Sequence, residues 1–237
     1  MAETPKGSLI GGVDRRWLIG GAALTVAGVA AYRLLGSSSS RGQGERAGLV
    51  SRVVPLDKLM ASGLAPEISF GKPDAPVTIV EYASLTCGHC AAFHNDVFPA
   101  LEEKYIRTGQ VRLILREYPI DTLALFAAML GRCAGPEKGP GLIGAMFKGQ
   151  SAWAVNEPGK PAAELLKLWE AKGLAKAEFQ ACAENMDLRS KIVEVRAKGK
   201  AMGVGGTPTF FINGVLLDGP TDTIATFDAA LKPLLKR

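Results

Sequence analysis

Residues 77 to 119 constrain the fold more than any other stretch. VTIVEYAS, residues 77 to 84, is rich in β-branched and aromatic residues and reads as a strand. VRLILREYP, residues 111 to 119, reads as a second. Between them Phe93, Val97, Leu101 and Tyr105 recur every four residues, which lays an apolar stripe along one face of a helix. A strand, a helix and a strand in this order require a right-handed crossover with the strands parallel. Pro99 lies inside the helix and is expected to kink it.

The rest of the chain builds on that unit. From Asp121 to about Met202 the periodicity stays helical in several pieces, including LALFAAMLGRCAG, PAAELLKLWEAKG, KAEFQACAENM and DLRSKIVEVRAKGKAMG. TPTFFING, residues 207 to 214, returns to strand, and VLLDG after Asn213-Gly214 reads as its hairpin partner. A closing helix covers roughly 222 to 236. The expected fold class is α/β: a mixed central sheet of order βαβ…ββα, helices on both faces, and an inserted helical block at about 121–202. Residues 49 to 76, interrupted by Pro55, Pro66, Pro73 and Pro76, read as transitional.

The N-terminus is of another kind. Arg15-Arg16 precedes the uncharged run WLIGGAALTVAGVAA, so residues 1–35 read as a cleaved export signal or a retained membrane anchor. The arginine pair, the long n-region and the glycine-rich core resemble a twin-arginine signal, although a consensus residue after the pair is missing. Either reading places the remainder outside the cytoplasm, in the periplasm, where disulfides persist. Residues 36–50 are Gly/Ser-rich and polar, a flexible linker, and 51–237 form the folded domain.

With 237 residues, 47% of them apolar, the chain can bury a core without disulfide staples. Its formal charge of +5 is mild, with no basic run, and aromatics are only 7%. That excludes the positive, aromatic-interleaved stripe of a nucleic-acid binder.

The chemistry concentrates in ASLTCGHCAAFH, residues 83 to 94, which holds both histidines of the chain. Cys87 stands where the helix begins, and free N–H groups and the positive helix end stabilise a thiolate there. Cys90, one turn on, faces the same side and is placed to bond to Cys87. His89 can donate to the Cys87 sulfur or set positive charge beside it, lowering the thiol pKa and destabilising the disulfide. Two other readings compete. Cys87, Cys90 and His94 offer three metal ligands, but structural zinc needs four, so no metal is expected. A purely structural disulfide across four residues would close too small a loop to stabilise much.

VTIVEYASLTCGHCAAFH, the FP that follows, the VR-L-REYP strand, the helical block and GVGGTPTFFING together resemble a known family. This is the thioredoxin-fold disulfide oxidoreductases of the DsbA type, and the alphaproteobacterial branch above all, over roughly residues 50 to 237. The resemblance implies that Cys87 is the nucleophile and Cys90 its buried partner. It matches Thr207-Pro208 to a cis-proline loop that presents backbone to a bound peptide. It also matches Glu81, six residues before Cys87, to a buried acid able to carry a proton for Cys90; strand alternation alone leaves Glu81 inward or outward. Four cysteines allow three pairings. The alphaproteobacterial branch carries a second disulfide in the helical block, which implies Cys133–Cys182, with two buried free thiols as the alternative.

The family further implies a function: introducing disulfides into unfolded exported proteins, with no cofactor beyond the redox dithiol. A quinone-linked, DsbB-like membrane protein would reoxidise it. The dipeptide Gly88-His89 departs from the Pro-His of the best-known family oxidase and resembles eukaryotic protein disulfide isomerase. An isomerase or reductase of the same fold therefore stays open, although a single module without a preceding dimerisation domain favours an oxidase. A non-catalytic chaperone-like module, holding unfolded chains in a groove around Leu85 and Phe210, is the third reading.

Overall fold

A computed structural model describes residues 52–61 and 63–236; the expected leader at 1–35 and linker at 36–50 lie outside the described residues. Among the described residues no helix is long and apolar enough to cross a membrane. In chain order the elements are α1 (Leu56–Ala61), β1 (Ile68–Phe70) and β2 (Val77–Ala83). A composite helix α2 then runs through Gly88–Ala92, Phe93–Val97, Phe98–Leu101 and Glu102–Ile106, followed by β3 (Val111–Glu117). The helical insertion comprises α3 (Thr122–Cys133), α4 (Gly135–Lys148), α5 (Gln150–Trp153), α6 (Lys160–Glu170), α7 (Lys176–Ala183) and α8 (Met186–Ala201). Last come β4 (Thr209–Ile212), β5 (Val215–Leu216) and α9 (Ile224–Leu235).

The sheet order is β1-β3-β2-β4-β5. β2 and β3 are parallel, as the crossover requires, while β1, β4 and β5 join antiparallel. Asn213 and Gly214 both take positive φ, 47° and 85°, the geometry a two-residue hairpin turn demands. Both faces of the sheet are covered. Ile79, Leu113, Phe210 and Ile212 pack with Phe93, Val97 and Leu101 of α2 and with Phe227 and Leu231 of α9. On the other face Val80, Tyr82, Ile114 and Phe211 meet Leu59 of α1 and Met202 after α8.

Pro99 does not produce a simple kink. An α-helix has 3.6 residues per turn, so a strict spacing of four would carry the apolar stripe about 40° round the axis at each step. α2 corrects this with two wide π turns, closed by Phe98 N–H to the Phe93 carbonyl and by Arg107 N–H to the Glu102 carbonyl. Phe93, Val97, Leu101 and Tyr105 all end up buried. The first wide turn immediately precedes the Phe98–Leu101 segment, where it relieves the contact of the Pro99 ring with the preceding turn.

Two elements depart from the sequence reading. The transitional stretch contains α1 and the edge strand β1, which pairs Ile68, Ser69 and Phe70 with Leu115, Ile114 and Leu113. GPEKGPGLIGAMFK, by contrast, falls within the helical block expected at about 121–202 and is helix α4 in spite of its glycines and prolines. It crosses α3 so closely that a Cβ on Gly139 would lie 2.6 Å from the Gly131 carbonyl oxygen. The contact between helices outweighs the low helix propensity of the glycines.

Candidate active site

The end of β2 delivers the site. Residues 84–87 leave the sheet there, and Cys87 takes an extended backbone (φ −79°, ψ 120°) just before α2 begins. Ser84 is buried; its carbonyl accepts from the Cys87 N–H at 3.1 Å, which tightens the loop. β4 pairs with the same end of β2, Tyr82 opposite Thr209, so the loop just before β4 comes alongside. In this way Thr207, 120 residues away in sequence, lies across from Cys87: the Cys87 Sγ–H donates to the Thr207 carbonyl at 3.2 Å. The Thr207-Pro208 peptide is cis.

The two thiols are free and sharply unlike. Cys87 is pulled down from 9.0 to about 4. The largest cause is the hydrogen bond from the Cys90 thiol; the backbone N–H groups of Cys90 and His89 add to it, and burial opposes it. Cys90, with no exposed surface, is pushed far up, first by that same hydrogen bond, then by burial, then by the negative Glu81 carboxylate. One sulfur is thus prepared as a thiolate and the other held as a thiol.

Glu81 points inward, on the face of β2 that carries Ile79, and is fully buried. Its oxygens lie 2.9 and 3.2 Å from Nε2 of His94, also buried. The His94 ring stacks on Phe147 at 4.2 Å between centroids. That nitrogen is thus committed to a carboxylate, unlike the metal-ligand role weighed for it. His89 is exposed, and its backbone N–H donates to the Cys87 sulfur. Cys133 and Cys182 are bonded, joining α3 to α7 inside the helical insertion, apart from the dithiol.

Leu85 and Phe210 form no groove. Leu85 is packed into the core with the helical insertion, Phe210 against Phe93 and Phe227 on the sheet face, and both are buried. A binding surface built on them is thereby corrected: alternation in β4 turns Phe210 toward α2, away from solvent.

Three further side chains belong to the site. Gln150, opening α5, donates from Nε2 to the carbonyls of Leu85 (2.8 Å) and Cys87 (3.0 Å). Asp121 accepts from Thr86 Oγ1 at 2.6 Å and caps α3 through the Ala124 N–H at 2.7 Å. Ser84 Oγ accepts from the Ile120 N–H at 3.4 Å. The helical insertion thus grips the cysteine loop from two sides. Only the aspartate, an N-cap preceding a helical run, could have been noticed beforehand.

Known proteins resemble this chain in sequence and in fold. The thioredoxin family model matches residues 64–233. A protein of Rickettsia conorii named as a protein-disulfide oxidoreductase is 32% identical over 170 residues, 70% of this chain and 61% of that one. The chain spans about three fifths of the length of the curated relatives it matches. Among solved structures, alpha-DsbA1 of Wolbachia pipientis is 30% identical, with a TM-score of 0.68 over 76% of this chain and 96% of the other. Oxidised BdbD of Bacillus subtilis shares the fold at 21% identity, with a TM-score of 0.63 over 72% of this chain and 94% of that one.

Proposed function

The chain belongs to the thioredoxin family, among its DsbA-type members, and from that premise we propose that it is an exported thiol–disulfide oxidoreductase that introduces disulfides into unfolded proteins of the periplasm. The observation that carries the proposal is the contrast within one dithiol, Cys87 pulled down to about 4 and Cys90 pushed up. A thiol that ionises easily is a good leaving group, and its disulfide is correspondingly ready to be reduced.

The proposed reaction starts from the oxidised enzyme. A substrate thiolate attacks Cys87 Sγ, the bond to Cys90 breaks, and its electron pair stays on Cys90 Sγ, which takes a proton. A second substrate thiolate attacks the substrate sulfur of the mixed disulfide, and Cys87 leaves as a thiolate. Two electrons pass from substrate to enzyme, with the Cys87–Cys90 pair as sole carrier and no cofactor in the step. Thr207 and Pro208 flank the nucleophile, and an extended substrate would lie against the Thr207 backbone as an added strand. His89 contributes its N–H to the thiolate, and Glu81 exchanges the proton of Cys90. The electrons leave to a quinone-linked, DsbB-like membrane protein, and Cys133–Cys182 stays a structural bond.

Cys87→Ser is expected to abolish oxidation of a reduced model protein, and retained activity would refute the proposal. Equilibration against glutathione fixes the direction of transfer: a potential as low as that of thioredoxin would make the protein a reductase.

A further inference from the structure

Three of the six exposed large apolar side chains among the described residues gather at one edge of the sheet. Residues 52–54 lie along β5 there: the Leu216 N–H donates to the Arg52 carbonyl at 2.9 Å, and the Val54 N–H to the Gly214 carbonyl at 2.8 Å. Val53 and Val215 stand directly opposite each other, so their side chains share a face, and Val53 is 66% exposed. α1 begins against the same hairpin turn, with the Leu56 nitrogen 3.5 Å from where a Cβ on Gly214 would lie, and Leu56 is the third exposed side chain. A single apolar residue on a surface needs no explanation, whereas a cluster rimmed by charge marks an interaction site. The rim here is positive. A hollow of about 320 Å³ opens beside Val53, walled by Arg52, Pro55, Lys58, Met202 and Gly203. Among the described residues no acid lines it, Asp57 included. Arg52 is set in place by its Nη1, which donates to the Gly203 carbonyl at 2.8 Å; a guanidinium has five N–H donors, so others are left for an anion.

We propose that this edge docks on a bilayer surface carrying anionic phospholipids, with Val53, Leu56 and Val215 at the acyl boundary and Arg52 and Lys58 on the phosphates. Apolar side chains flanked by Lys and Arg are the composition that rests in such an interface. The place where the chain enters the fold favours a membrane. The described chain begins at Arg52, on this edge, and the apolar run 17–31 precedes it in sequence. A Gly/Ser-rich segment of the length of 36–50 reaches about 20 Å on average. With the run in a bilayer, as the anchor reading expects, the lipid surface would meet this edge at an effective concentration on the order of millimolar. A two-fold contact between copies is disfavoured, because it would bring Arg52 and Lys58 toward their own counterparts, like charge against like. The strands set the orientation. The Asn213 N–H of the hairpin turn donates to the Thr78 carbonyl at 2.9 Å, near the start of β2, whereas Cys87 lies beyond its other end. Docking through the hairpin edge therefore leaves the dithiol clear of the lipid.

The test is hydrogen exchange of the full chain with vesicles of phosphatidylglycerol and phosphatidylcholine in equal parts, compared with vesicles of phosphatidylcholine alone. Amides of residues 53–59 and 215–216 should exchange about fivefold slower on the anionic vesicles, while those of β2 and α2 stay unchanged. A cation near an anionic surface strengthens docking about fivefold. Lys58→Gln, at an exposed position, should therefore cut the slowing to about twofold, and Lys58→Arg should keep it. Val53→Ser, which removes apolar area and no charge, should also weaken it. Equal exchange on the two kinds of vesicle would overturn the proposal. So would protection that rises with the number of protein copies per vesicle and ignores lipid charge, since that would give the edge to a second copy. The docking needs no thiol chemistry: a protein protected as expected that oxidises no reduced protein would sink the oxidase function and leave the docking standing.

Discussion

Reducing the 87–90 bond should stabilise this fold, in a way that depends on pH. Reduction frees Cys87 as a thiol whose pKa is held at about 4 instead of the ordinary 9.0. A depressed pKa contributes stability that is complete above the unfolded value and is lost as pH falls through the folded one. The window is therefore pH 9 down to pH 4. At pH 7 about three of the five units are in play, which at 1.36 kcal/mol each would be about 4 kcal/mol. The Cys87 sulfur is not fully shielded from water, so solvent screening reduces this to about 2 kcal/mol. Cys90 adds nothing in this range, because its pKa is raised and it is a thiol whether folded or unfolded. The cost of opening so small a loop is independent of pH and shifts the comparison by a constant.

The assay is urea unfolding of the oxidised and reduced forms between pH 7 and pH 4, in the Cys133→Ala/Cys182→Ala background so that one disulfide responds to reductant. Every other ionisable group is common to the two forms. Their difference in unfolding free energy should shrink by about 2 kcal/mol, favouring the reduced form less as pH falls. A difference that stays flat would show that the fold does not stabilise the Cys87 thiolate, and would remove the basis of the proposed function.

Two further expectations concern the helical insertion. Gln150→Ala removes both amide bonds to the cysteine loop and should cost about 1–3 kcal/mol in denaturant melts while slowing thiol exchange; unchanged exchange would show that the loop holds its shape unaided. Replacing Cys133 and Cys182 by alanine opens a loop with a sequence separation of 49, which the chain-entropy model values at about 4 kcal/mol, and should leave the 87–90 exchange rate intact.

The parts legible in the sequence were those whose signal is local. β-branched runs gave β2 and β3, Asn213-Gly214 gave the hairpin, and a cysteine pair after a strand gave the dithiol. β1 was invisible because Ile68–Phe70 is three residues long and acquires its strand geometry from the open edge of β3. At the site, the inward direction of Glu81 depended on which face of β2 receives α2, and Gln150 meets Cys87 only through the tertiary fold. For His89 the helix start carries the backbone N–H to the sulfur, a contact that residue type does not encode, while the residue itself is exposed.

These placements divide the work of the molecule. The thioredoxin portion makes the reactive sulfur by bringing a helix start and the Thr207 loop to one end of β2. A loop free to move would carry the N–H groups of His89 and Cys90 away from the sulfur they stabilise. The insertion opposes that freedom by binding Leu85, Thr86 and Cys87 through Gln150 and Asp121. Arg132 on α3 adds a second anchor, pairing with Glu117 at the end of β3 and reaching the Leu64 carbonyl before β1. An ion pair so buried is costly to break, because the partner left behind keeps its charge in the core. Sheet end, insertion and cysteine loop are therefore tied to one another. Rigidity matters to exchange, because attack on Cys87 requires an incoming sulfur in line with the bond to Cys90, and loop motion would spread that alignment over many unproductive geometries.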